Sequence, residues 1–373
     1  MEKRILRNTD EQVSLLGFGC MRLPKLVEDK QDIDYDKALP MIDYAYKHGV
    51  NYFDTAYPYH EGASELFIGE ALKNYPRDSF NLASKLPMWL IHSAADVRKY
   101  CEEQLAKCQV EYFDYYLAHG LNKDRLKTIA DHNVIEELKK LKAEGKIRHI
   151  GFSFHDTPDV LEEILKLTDW EFCQIQLNYF DWDLQDAKRQ YELIEERGIQ
   201  CIIMEPVRGG ALATLSEEAA VVFKNADPAA SVASWAVRYA ASKPNVLTVL
   251  SGMTAMEHVV DNVATMTDFK PLDAAGQAVI DEAVAAYRKA VTIPCTACRY
   301  CMDCPSGVDI PGVFAAYNSY AITKSKNMFM TPYTALGESA QAHNCVECRI
   351  CVDKCPQHID IPEQLKLARA LAE

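Results

Sequence analysis

Eight of the thirteen cysteines in this 373-residue chain fall between Cys295 and Cys355. They form two sets. The first reads Cys295-Thr-Ala-Cys298-Arg-Tyr-Cys301-Met-Asp-Cys304-Pro305, the second Cys345-Val-Glu-Cys348-Arg-Ile-Cys351-Val-Asp-Lys-Cys355-Pro356. Three thiolates on one tight loop can hold three irons of a four-iron, four-sulfur cube, with the fourth ligand coming from elsewhere. The second set has the C-x2-C-x2-C-x3-C-P spacing of such sites, and the first is one residue shorter before its last cysteine. In two-cluster proteins the cysteine before proline ligates the other cluster. That rule groups Cys295, Cys298, Cys301 and Cys355 round one cluster, and Cys345, Cys348, Cys351 and Cys304 round the other. Zinc is the competing metal, but its structural sites pair C-x2-C with a distant second pair. The doubled triplets favour two [4Fe–4S] clusters. A repeat supports this: C-P-S-G-V-D-I-P at 304–311 matches C-P-Q-H-I-D-I-P at 355–362.

A second group of chemically capable residues lies further upstream. Asp54 and Tyr59 stand in N-Y-F-D-T-A-Y-P-Y-H-E-G-A-S-E, Lys85 in L-A-S-K-L-P, and His119 in D-Y-Y-L-A-H. Each of Asp54, Lys85 and His119 ends an otherwise apolar, strand-like run, with Tyr59 in the loop five residues after Asp54. A carboxylate, a phenol, an ammonium and an imidazole gathered at one place would supply acid–base chemistry. A phenol of pKa ~10 is a poor acid at neutral pH unless its surroundings tune it. A neighbouring lysine stabilises the phenolate, and a buried carboxylate pairs that lysine.

Gathering them requires a scaffold that lines up strand ends. Strand-like runs at Leu16–Gly19, Tyr52–Thr55, Phe80–Lys85, Tyr112–His119, His149–Phe154, Phe172–Leu177, Cys201–Glu205 and Val246–Leu250 alternate with helical patterns. The helices are expected at 34–47, 64–72, 94–108, 133–143, 157–167, 184–197, 228–241 and in segments up to Ala290. Glycines 49, 145 and 198 close three of them, while Pro158 and Pro228 suit first turns. Eight strand–helix units imply a parallel sheet closed into an α/β architecture, the (β/α)8 or TIM barrel, with its chemistry at the carboxyl ends of the strands. A doubly wound open sheet is the alternative, but no G-x-G-x-x-G follows the first strand. Residues 1–16 read as a leading hairpin. The barrel pattern stops near residue 291, so 1–291 forms the barrel and 292–373 a smaller helical domain with the cysteines.

These motifs resemble the aldo/keto reductase family over about residues 1–290. The resemblance rests on D-T-A-x-x-Y followed by S-E, on x-x-S-K, on Y-Y-L-A-H, on G-F-S at 151–153 and on E-P-V-R-G-G-A-L at 205–212. It implies that Tyr59 is the general acid/base, Lys85 its tuner, Asp54 the partner of Lys85 and His119 the group that orients a carbonyl oxygen. It places Ser153 and Gln174 on a nicotinamide carboxamide and Met204 where an aromatic ring normally stacks. Phe154 stands where asparagine usually follows the serine. The usual basic readers of a 2′-phosphate fall at Gly252 and His258. Gly252, Asn262 and Arg208 are expected to contact a dinucleotide, NADP or NAD, with a flavin as the other occupant. The tail resembles helical two-cluster ferredoxin domains, in which the clusters lie close enough for electron transfer.

The formal charge of −14 argues against nucleic acid and anionic membranes as partners. No apolar run reaches the ~18 residues of a membrane span. The start, M-E-K-R-I-L-R-N-T-D, lacks an apolar signal region, which predicts a cytoplasmic protein. There disulfides are disfavoured, so metal is the better reading of the cysteines. The five isolated cysteines read as small buried hydrophobes. The expected function is reduction of a carbonyl, or oxidation of an alcohol, by a nicotinamide, with electrons relayed through two clusters from a ferredoxin or flavoprotein. Structural clusters, and an electron-transfer or redox-sensing subunit without carbonyl chemistry, are the alternatives. Trp89, Trp182 and His155 lie beside the strand ends as candidate pocket residues.

Overall fold

The computed structural model describes every residue except 28–31, 289–292 and 324–325. Chain contacts divide it into two compact units, Met1–Pro206 with Ala236–Leu272, and Val207–Trp235 with Asp273–Glu373. The boundary expected near residue 291 and the helix end expected at Ala290 lie outside the described residues.

Among the described residues the first unit holds ten strands. A hairpin, β1 (Lys3–Ile5) and β2 (Gln12–Ser14), pairs antiparallel. Then come β3 (Leu16–Gly19), β4 (Tyr52–Asp54), β5 (Asn81–Leu86), β6 (Phe113–Leu121), β7 (Ile147–Phe154), β8 (Phe172–Gln176), β9 (Gln200–Met204) and β10 (Val246–Gly252). β3 to β10 form a closed parallel barrel in chain order, β10 pairing back to β3. Both faces of these strands are covered, which is why they read as nearly unbroken apolar runs. The hairpin closes the amino end. Leu6 and Val13 pack with Tyr52, Tyr115, Phe172 and Leu247 in one buried cluster.

Helix boundaries follow local chemistry. Asp34 caps the helix Tyr35–Lys47 by accepting from Lys37 N, and Gly49 leaves it at φ +91°. Pro158 occupies the first turn of Pro158–Leu165. Pro228 does not start a helix. Asp227 instead ends Glu217–Ala226 and accepts from Ala229 N in a turn; the next helix begins at Val232, with Ser231 Oγ accepting from Ser234 N. The helix expected over 184–197 begins at Ala187, and a separate short helix, Asp181–Leu184, precedes it with Asp186 at φ +50° between them. The sequence pattern missed Lys123–Asp131, which has few apolar residues and is capped by Asn122.

In the second unit the repeat seen in sequence is a repeat in structure. Pro311 and Pro362 lie in the first turns of the helices Ile310–Thr323 and Ile361–Ala372. Ala297 and Arg299 in the first cysteine loop have φ +53° and +67°; Glu347 and Arg349 in the second have +56° and +64°. Arg299 pairs with Asp309 and Arg349 with Asp360, the aspartates of the two D-I-P segments. Val308, Ile310, Phe314, Ile359, Ile361 and Leu365 form the common core, and Cys301 and Cys351 are part of it. No described helix is long and apolar enough to cross a membrane.

Candidate active site and cysteine centres

Asp54 ends β4 and Lys85 lies one residue from the end of β5, with Asp54 in register with Ala83. Lys85 is 1% exposed. Its Nζ donates to Asp54 Oδ1 at 2.6 Å and to the Thr55 carbonyl at 2.8 Å, and reaches Tyr59 Oη at 3.4 Å. Tyr59 is half-buried and starts a one-turn helix after Pro58, whose next residues His60 and Glu61 take φ +51° and +54°. Leu23 N donates to His60 Nε2, tying this loop to the end of β3. His119, buried on β6, sets its ring 6.2 Å from that of Tyr59 and nearly perpendicular to it. Sequence placed these four residues at consecutive strand ends, and the barrel brings all four together.

Burial raises the pKa of the Asp54 carboxyl, and Lys85 opposes that rise. Burial, then Asp54 and Glu205, push the Tyr59 phenol well above its usual range, with Arg22 acting against them. The expected downward tuning by Lys85 is outweighed, because Asp54 sits beside the same ammonium and the phenol is shielded from water. Tyr59 therefore stays protonated at neutral pH. Burial, then Lys85 and Arg125, hold His119 far below the ordinary imidazole range. A neutral imidazole offers a hydrogen bond rather than a proton. Three buried polar atoms here lack a hydrogen-bond partner: Asp54 Oδ2, His119 Nδ1 and Gln174 Oε1.

Gln174 on β8 pairs in register with Ser153 on β7. Its Nε2 contacts Met204 Sδ at 3.6 Å, while Ser153 Oγ accepts from Gly120 N and keeps its own proton to donate. A carboxamide presents one donor group and one acceptor, which matches the orphan Gln174 oxygen and the serine hydroxyl. Gly252 ends β10. A Cβ there would lie 3.2 Å from Arg22. Asn262 is buried and donates to Ser251 Oγ, so it fastens its helix to β10. Arg208 is buried in the second unit, where Nη2 donates to the Pro294 carbonyl. Trp89 stacks obliquely at 5.3 Å from His119, whereas Trp182 packs on Tyr191 and Tyr239.

Two contributors carried no role in the sequence reading. Gln104 Nε2 donates to Ser84 Oγ, to the Lys85 carbonyl and to Glu65, so a buried polar network backs the lysine. A lone glutamine on the apolar stripe Val97, Cys101, Leu105, Cys108 was the available signal. Arg22, three residues after β3, pairs with Glu205 at 3.1 Å.

In the second unit, Cys295, Cys298, Cys301 and Cys355 line one cavity with Ile310, Phe314 and Ile359. Burial, then Cys298, Cys295 and Cys355, raise the Cys301 thiol. Burial, then Cys345, Cys304 and Cys348, push Cys351 up to about 11. The thiols thus influence one another in the crossed sets expected from the Cys-Pro rule. Four thiols round an apolar cavity suit a thiolate-bound cube.

A model of the aldo/keto reductase family matches residues 15–285. The chain belongs to the aldo/keto reductase family. A 4Fe–4S dicluster domain matches residues 294–359. This aldo/keto reductase is 31% identical over 207 residues to a probable aldo-keto reductase 1 of Glycine max, covering 53% of this chain and 57% of that protein. It is 24% identical over 310 residues to the NADH-specific methylglyoxal reductase of Escherichia coli, covering 71% and 94%. Aldo-keto reductase AKR11C1 from Bacillus halodurans, in its holo form, superposes with a TM-score of 0.63 at 28% identity, covering 76% of this chain and 96% of that one.

Proposed function

We propose that this oxidoreductase reduces a small carbonyl compound, or oxidises the matching alcohol, at Asp54, Tyr59, Lys85 and His119. The observation that carries the reading is Lys85 Nζ, buried between Asp54 Oδ1 at 2.6 Å and Tyr59 Oη at 3.4 Å. A nicotinamide, NADH or NADPH, supplies hydride to the carbonyl carbon when bound. Ser153 and Gln174 would hold its carboxamide, beside Met204. Neutral His119 donates a hydrogen bond to the carbonyl oxygen and orients it. Tyr59 gives its proton to that oxygen as negative charge develops there, so carbonyl, hydride and proton together make the alcohol. Lys85 stabilises the phenolate left behind, and Asp54 holds Lys85 in place. In the reverse direction Tyr59 takes the proton back.

The eight cysteines would hold two [4Fe–4S] clusters, which would supply one-electron transfer. Passing from hydride to single electrons needs a flavin, bound here or carried by a partner flavoprotein. Tyr59→Phe tests the barrel: carbonyl reduction on an aldehyde panel should vanish while the visible absorbance of the clusters stays. Unchanged turnover would overturn the four-residue assignment. Anaerobic stopped-flow tests the relay. It fails when neither NAD(P)H with substrate nor a reduced ferredoxin changes cluster absorbance.

A further inference from the structure

We infer that Arg208 sets the reduction potential of the first cluster site, formed by Cys295, Cys298, Cys301 and Cys355. The inference rests on the proposal that these thiols hold a cluster. Among the described residues Arg208 is the one buried arginine, at 1% exposure. Its backbone sits at φ +51°, an uncommon conformation for a residue with a side chain. Its Nη2 donates to the carbonyl of Pro294 at 2.9 Å, one residue before Cys295. The same stretch is pinned twice more. Asn318 brackets Ile293 through both its N–H and its carbonyl, and Ala297 N donates to Cys295 Sγ at 3.4 Å.

The two cysteine loops match in motif, in backbone conformation and in their Arg–Asp pairs, so their differences stand out. Thr296 in the first loop is 2% exposed, while Val346 at the matching place in the second is 67% exposed. Adding an electron adds negative charge, which a buried site resists and an open one tolerates. Exposure, charge and hydrogen bonding are the levers on such potentials. Burial by itself would therefore leave the first site harder to reduce than the second. A buried guanidinium against the Pro294 carbonyl, one residue before Cys295, acts the other way, because a cation stabilises the reduced state. The basic residues of the second loop, Arg349 and Lys354, are exposed, so solvent screens their charge. Arg208 thus offsets the burial of the first site and keeps two unlike sites close enough in potential to exchange electrons.

The test is mediated redox titration of the full-length, cluster-loaded protein followed by electron paramagnetic resonance, which needs no substrate. Arg208→Gln should lower the midpoint of one cluster and leave the other unmoved. Arg208→Lys, which keeps the charge, should hold both midpoints near those of the wild type. Equal midpoints in wild type and Arg208→Gln, or a common shift of both clusters, overturns the inference. So does an Arg208→Lys protein whose first midpoint falls, an outcome that stays readable even where Arg208→Gln fails to fold. Absence of cluster signals in the wild type would instead sink the underlying assignment of clusters to these cysteines.

Discussion

At the carboxyl end of the barrel, Lys85 meets Asp54 at 2.6 Å, and three buried polar atoms around them have no partner. At the amino end, His149 stands between Glu11 at 3.1 Å and Glu171 at 2.8 Å. There most polar groups are met, Tyr52 Oη and Arg77 Nε being the exceptions. Tyr115 Oη also donates to Glu11, Lys142 and Ile150 N donate to Glu171, and Arg4 of the hairpin donates to the carbonyls of Ala241, Lys243 and Val246. Both ends take charge out of water, yet Asp54 and His119 each keep a buried atom without a partner, while His149, Glu11 and Glu171 do not. An unmet buried polar atom costs about 1–3 kcal/mol, so it persists where a ligand can meet it. The amino end supports the fold, as barrels generally divide the labour between their ends.

That contrast breaks if a change at one end acts like a change at the other. The largest effect belongs to Tyr59→Phe. It removes the proposed proton donor while keeping the ring, so turnover should fall by roughly 10²–10⁴-fold with no change in Tm. Lys85→Met comes next. It leaves Asp54 buried without its cation, and stability should fall by about 3–5 kcal/mol in a urea titration, beside loss of turnover. This variant is the one case at the carboxyl end where both readouts move. A smaller effect is expected for Gln174→Leu. Losing one hydrogen bond to the nicotinamide should raise its KM by up to roughly tenfold and leave Tm in place. Unchanged KM would remove Gln174 from the cofactor site.

The smallest effect lies at the amino end and shows only with pH. Burial alone would lower the pKa of His149, but hydrogen bonds to Glu11 and Glu171 overcome it and raise it from 6.5 to about 9. The folded value is the higher one. The ion pairs therefore contribute fully below pH 6.5, and their contribution is lost as pH rises through about 9. Tm of the wild type should decline across that window. In His149→Gln the decline should flatten while kcat stays the same; a wild-type slope retained in the variant would place its origin elsewhere.

The strand–helix alternation, the glycine and proline punctuation and the positions of Asp54, Tyr59, Lys85 and His119 were legible because period, turn chemistry and residue type are local. So were the two cysteine sets and their repeat, since thiol spacing on a short loop is itself the ligand geometry. Other features depended on what residues far apart in the chain do to each other. Pro228 reads as a helix start, and only the capping of the preceding helix by Asp227 moves the start to Val232. Gln104 reads as one polar residue on an apolar stripe until Glu65, Ser84 and Lys85 surround it. Arg208 reads as one basic residue in a loop motif, and only the fold shows that it is buried with Nη2 on the Pro294 carbonyl. The direction in which Tyr59 titrates was likewise set by tertiary structure. A sequence names a phenol, a lysine and a carboxylate, but desolvation and the distances among the three decide which one dominates.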